Sequence, residues 1–130
     1  MALTIAAASA QAMGAALATN IGSGALIRIY TGAKPATPET AASGTLLATV
    51  TISGSFTSTG GVLTAADPAQ VTPVAAGTAG YFRLLTSGGT TAVLDGTVGT
   101  SGADMNLSST AITTTSPLDL GVPTITVPVA

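Results

Sequence analysis

Thr45-Leu46-Leu47-Ala48-Thr49-Val50-Thr51-Ile52-Ser53 is the stretch that decides the fold class. Apolar and polar residues alternate along it with the two-residue period of a strand. Leu46, Ala48, Val50 and Ile52 are expected to face a core, and Leu47, Thr49 and Thr51 to point the other way. Upstream, Ala25 to Thr31 repeats the pattern, with Ile27 and Ile29 on one face and Arg28 and Tyr30 on the other. Between the two strands, Gly32, Pro35, Pro38 and Gly44 mark an exposed loop.

Downstream, Gly60-Gly61 separates Ser55–Thr59 from Val62–Ala65, the signature of a two-residue hairpin turn. Asp67-Pro68 and Pro73 then break the chain. Ala79 to Ser87 reads as a further strand, with Phe82 and Leu84 opposite Tyr81, Arg83 and Leu85. Gly88-Gly89 turns it back into Thr90–Leu94, a second hairpin. Asp95-Gly96, Gly99 and Ser101-Gly102 look like turn punctuation, and Met105 to Ile112 and Leu118 to Val129 supply the last strands. Pro123 and Pro128 push the final one toward a sheet edge. Short strands joined by Gly and Pro turns indicate a mainly β chain, an antiparallel β-sandwich of jelly-roll or Ig-like type.

The one helical stretch is residues 3–20, with Met13, Leu17 and Ile21 forming a narrow apolar stripe and Gly22-Ser23-Gly24 as the stop. The organisation expected is a helical arm over residues 1–24 and one β domain over 25–130. The helix has two readings, packing on its own sheet or lying on a neighbouring subunit, and the first is slightly favoured. Both chain ends are apolar, so Leu3, Ile5, Met13, Leu17, Ile21, Val127 and Val129 are the candidate contacts with neighbours.

Composition narrows the chemistry. Ala, Thr and Gly make up half of the 130 residues, and charged residues only 6%. A hydrophobic fraction of 46% with a net charge of −2 favours collapse over disorder. So little charge suits a life inside an assembly, where docking desolvates few ions. Arg28, Lys34 and Arg83 are the only cations, too few for a phosphate-binding patch, so no nucleic acid partner is expected. No basic segment precedes the apolar start, as a secretory signal requires. Thr4, Ser9, Gln11, Gly14, Thr19 and Asn20 interrupt what a membrane span would need to keep apolar, so no membrane partner is expected either.

With neither His nor Cys, the chain lacks the parts of a nucleophile–histidine relay and of the usual zinc sites. Lys34, the single lysine, lies between Ala33 and Pro35 in the loop expected there and reads as a surface residue. Asp95 and Asp104, with Asp67 and Asp119 further off, are the one conceivable carboxylate pair, but a sugar groove also needs aromatic platforms and only Tyr30, Phe56, Tyr81 and Phe82 are available. Asp95-Gly96 and Ala103-Asp104 do not follow calcium-loop spacing and read as turn formers. Asn106-Leu107-Ser108 is a glycosylation triplet of negligible weight. No catalytic residue, metal ligand or cofactor is expected.

Leu26-Ile27-Arg28-Ile29-Tyr30-Thr31-Gly32-Ala33-Lys34-Pro35-Ala36-Thr37-Pro38 resembles a pattern found in small proteins of tailed phages and prophages. Ser43-Gly44-Thr45-Leu46-Leu47-Ala48-Thr49-Val50 and Gly77-Thr78-Ala79-Gly80-Tyr81-Phe82-Arg83 are similar to it too. The most distinctive block is Val93-Leu94-Asp95-Gly96-Thr97-Val98-Gly99-Thr100-Ser101-Gly102-Ala103-Asp104-Met105-Asn106-Leu107. In order and spacing the resemblance spans roughly residues 25–127 and implies a virion structural protein without catalytic residues. A capsid decoration, or cement, protein is the first expectation, with the phage major capsid protein or other virion proteins as partners. A tail, connector or baseplate component is the alternative, and a carbohydrate-binding module displayed on the virion is the alternative of another class. A homo-oligomer, with a trimer as the expected form, made in the bacterial host cytoplasm and ending in the virion, completes the expectation.

Overall fold

Two antiparallel partners flank the strand that follows the helix, and the larger sheet grows from it. In this computed structural model, which describes residues 6–66, 68–120 and 124–126, the elements are α1 (Ala7–Ile21), β1 (Leu26–Thr31), β2 (Leu46–Thr51), β3 (Thr57–Thr59), β4 (Val62–Thr64), β5 (Gly77–Leu85), β6 (Ala92–Gly99), β7 (Met105–Asn106), β8 (Ala111–Ile112) and β9 (Thr124–Thr126). The larger sheet runs β2-β1-β5-β6-β7, with β8 also on β5, and it curls like half a barrel. The smaller sheet runs β3-β4-β9. Among the described residues all pairings are antiparallel except β6 with β7, so the chain is mainly β with mixed and antiparallel sheets and one short helix.

Side-chain alternation puts Ile27 and Ile29 of β1, Val50 of β2 and Phe82 and Leu84 of β5 into the main core. Ile52 follows them, Leu63 enters from the smaller sheet and Ile21 from the helix. Each fully buried side chain of this size contributes about 1.5–3 kcal/mol. Gly60 and Gly61 form the β3–β4 turn with φ of 60° and 86°, the left-handed pair that a tight hairpin requires.

One expected register fails at its upstream end. Ile29 pairs with Ala48 but Tyr30 pairs with Leu46, so Leu47 is an extra residue in β2. This bulge turns the local alternation over: Leu47 is 0% exposed, whereas Leu46, expected inward, is only half-buried. Three further expectations change. Met105 to Ile112 is not one strand, because β7 and β8 join different partners, β6 and β5. From Leu118 to Val129, the described part is a single bridge from Leu118 to Val71 and the edge strand β9, while Pro123 and Pro128 lie outside the described residues. Asp95-Gly96 is no turn but lies within β6, where the missing Cβ of Gly96 makes room for the Phe82 ring across the pair.

The helix packs on the β3–β4 hairpin of its own chain. Its buried face is Ala10, Gly14, Ala18 and Ile21, a row of small residues ending in one large one. A Cβ on Gly14 would run into Ser58 Oγ, so the close approach depends on that glycine. Gln11 fastens the contact: Nε2 donates to the Ser58 carbonyl at 2.8 Å, and Oε1 accepts from the Gly60 amide. Ala6 supplies no side-chain cap and the last turn carries no basic residue. Docking rather than helix propensity therefore holds α1 in place.

Candidate functional site

The outer face of the larger sheet is not a solvated face. Tyr30, Tyr81, Arg83 and Leu85 point away from the main core yet are buried as well. Cross-strand register stacks them in rows: Tyr30 opposite Tyr81, Arg28 opposite Arg83, and Arg83 opposite Asp95. The two tyrosine rings stack at 5.1 Å between centroids and 11° between planes. The Tyr81 hydroxyl then ties down the loop between β1 and β2, accepting from the Ser43 amide at 3.0 Å and donating to its carbonyl at 2.8 Å.

Beside the stack, Arg83 and Asp95 form a two-pronged ion pair. Arg83 Nε donates to Asp95 Oδ1 at 2.7 Å, and one Nη donates to Oδ2 at 2.9 Å. Their side chains are 6% and 3% exposed. The hydrogen bonds to Asp95 raise the guanidinium pKa above its usual value, against the opposing effect of burial. Such an arrangement holds charge rather than moves it, because a guanidinium keeps its proton at any working pH.

Arg28 completes the row differently. Its Nε is buried and has no hydrogen-bond partner. Among the described residues the Arg83–Asp95 contact is the one ion pair, so no carboxylate lies within ion-pair distance of Arg28, although Glu39 lines the same groove. A groove of about 480 Å³ opens over Arg28, Tyr30 and Leu85, walled by the loop at Pro38–Ala42 and the turn at Gly89–Ala92.

No family model, curated protein or solved structure matches the chain.

Most of the remaining polar candidates are engaged locally. Asp104 Oδ2 accepts from the Thr97 amide at 2.9 Å and its hydroxyl at 3.2 Å, which steadies the β6–β7 connection. Asp119 lies within 3.5 Å of Gln70 Nε2, and Lys34 is exposed in its loop. Asp67 lies outside the described residues. A second space of about 260 Å³ lies between Ile27, Phe56, Phe82 and Leu84, with Asp104 and Asn106 at its rim. Asn106 is itself bonded to the Ala103 amide at 3.1 Å. Among the described residues no three acidic side chains converge as metal ligands would.

The candidate contact residues fall in different places. Leu3, Ile5, Val127 and Val129 lie outside the described residues. Met13 is 49% exposed on the free face of α1, Leu17 is half-buried, and Ile21 is in this chain's own core. The expected stripe is thus divided between solvent and the interior, because the helix docks through its alanines and Gly14 instead.

The outer layer escaped the sequence reading, although one signal was present. Tyr81-Phe82-Arg83-Leu84-Leu85 is bulky on both faces, which suits a strand covered on both sides. The Arg83–Asp95 partnership was harder to find. A two-residue turn at Gly88-Gly89 would place Leu94 opposite Arg83, and only the irregularity between Leu84 and Leu85 brings Asp95 there.

Proposed function

We propose that this chain is a non-enzymatic virion structural protein of a tailed phage, a capsid decoration protein that stabilises the head. The reading rests on the sequence pattern over roughly residues 25–127, which resembles that of small phage and prophage proteins. The physical character of the chain supports it. A curled sheet stiffened on both faces, with few charges outside, can be repeated many times on a lattice at little cost in desolvated ions. Val74 at 70% exposed and Met13 add apolar area that a neighbour would cover. The two sheets around one core are read as a small β-sandwich of jelly-roll or Ig-like type, and the working unit as a homotrimer on the major capsid protein.

Antibodies against the purified protein, applied to intact particles and imaged by electron microscopy, test the proposal. Label over the head surface is expected, and empty capsids should bind added protein to saturation. Label confined to the tail or baseplate would move the protein to that part of the particle, and its absence from purified particles would remove it from the virion.

A further inference from the structure

We infer that the open seam between β6 and β9 receives residues 1–5 of a second copy of this chain, added as an extended strand along the free edge of β6. It rests on the homo-oligomer proposed above and not on where in a particle that oligomer sits. β5 occupies one side of β6, and among the described residues β7 takes the other side only at Val98 and Gly99. The Thr97 amide and the Gly99 carbonyl point away from β5, to Asp104 Oδ2 and to the Leu107 amide. Backbone groups alternate in direction along a strand, so the amide and carbonyl of Asp95 face the same way, where no strand pairs with them among the described residues. Asp104 thus ends the ladder at Thr97, and the stretch before it is a template for one further strand.

A groove of about 410 Å³ runs beside this edge, with Leu94 and Gly96 on one side and Thr124 and Ile125 of β9 on the other. Through Phe82 and Ile125 it joins the space of about 260 Å³ between the sheets. Leu94, Met105, Leu120 and Ile125 around the two are only partly covered, although they pack on the core. Apolar side chains on an added strand complete their burial. Asp104 lines both spaces and no cation does, so an acidic segment is repelled. Ala2-Leu3-Thr4-Ile5 is uncharged and alternates with the period of a strand. With Thr4 opposite Asp95, Leu3 and Ile5 fall on the inward face, in line with Leu94 and Gly96. Val127-Pro128-Val129 suits the edge less, because Pro128 has no amide for the ladder. The chain enters α1 at the tip of the β3–β4 hairpin, where Ala10 packs against Gly61, whereas Thr124 pairs with Thr64 at the hairpin's base. A segment of five residues starting at the tip has to double back to reach its own seam, so a neighbour is the recipient. Repeated head to tail, such a contact closes into a ring, and a ring of three matches the proposed homotrimer.

The chain has no cysteine, so Thr4→Cys creates one site for a nitroxide label. Labelled chains without 15N are refolded together with 15N-labelled, unsubstituted chains, so that any broadening passes between copies. The amides of Leu94, Asp95 and Gly96 are expected to broaden, while those of Thr49 and Thr51 at the opposite edge of the sheet stay sharp. Leu3→Asp combined with Ile5→Asp should weaken self-association in sedimentation about hundredfold or more with the circular dichroism unchanged, and Leu3→Val combined with Ile5→Val should keep it. Sharp amides at Leu94, Asp95 and Gly96 in the mixed sample would overturn the inference. So would broadening there only when label and 15N share one chain, which would put the segment in its own seam, or an Asp variant that associates as tightly as the parent. An Asp variant that no longer folds would assign the segment to the protein's own core and overturn it as well. Absence of the protein from purified particles would leave every one of these readouts as it is.

Discussion

Replacing Asp95 with alanine should be among the most damaging single changes in the protein. The substitution strips two charge-assisted hydrogen bonds, at 2.7 and 2.9 Å, from a guanidinium whose side chain is 6% exposed. Hydrogen bonds to charged groups contribute about 1.5–3 kcal/mol each. Breaking a buried pair from one side costs about 3–5 kcal/mol, because the surviving charge stays buried. Arg83 cannot escape by losing its proton, and Arg28 directly across the strand pair worsens its position. A loss of about 4 kcal/mol is therefore expected, a large part of the 5–15 kcal/mol that domains generally have. Urea melts followed by tyrosine fluorescence suit the measurement, since there is no tryptophan and both tyrosines lie in the affected layer. The double variant Arg83→Met, Asp95→Leu should recover most of the loss, because apolar replacements of similar volume are often neutral or better. A loss below about 1 kcal/mol for Asp95→Ala at unchanged denaturant slope would refute the buried-pair reasoning. A double variant no more stable than the single would show that the layer depends on packing around the pair rather than on charge.

Three further outcomes are expected. Leu47→Ala should cost about 2–5 kcal/mol and Leu46→Ala distinctly less; the reverse order in denaturant melts would remove the bulge from β2. Tyr81→Phe should lose about 1–2 kcal/mol with its two bonds to Ser43 and speed amide exchange across the loop between β1 and β2; unchanged exchange would mean that the loop is held by something else. Gly14→Ala should destabilise even though alanine is the better helix former by about 1 kcal/mol, and Ser58→Ala should rescue it by removing the oxygen in the way; a Gly14→Ala protein more stable than the parent would place α1 further from the hairpin.

Which parts of this architecture were legible follows from the physics of each signal. Ile27, Ile29, Val50 and Ile52 were readable because a half-buried strand writes its inner face at every second residue, and Gly60-Gly61 because few other pairs accept left-handed backbone. Irregularities leave no such trace. The extra residue Leu47 and the slip between Leu84 and Leu85 are settled by packing across strands, so the first inverted two leucines and the second hid the partner of Arg83. The docking face of the helix was legible only in part. Alanine and glycine give almost no hydrophobic signal, so the stripe read as Met13, Leu17 and Ile21, whereas Ala10, Gly14 and Ala18 dock together with Ile21 and Met13 stays outside.

The placement of the three cations also decides how the protein meets a protease. Trypsin cuts after Lys and Arg, and poorly before proline. Lys34, the exposed one, is followed by Pro35, while Arg28 and Arg83 lie within adjacent central strands. The folded chain consequently offers trypsin no ready bond, and cleavage has to wait until β1 and β5 separate. Digestion at low enzyme concentration then tracks the population of opened molecules. The protein should therefore resist trypsin-like enzymes without a single disulfide, because its basic residues are few, two of them lie in central strands and the exposed one is followed by proline.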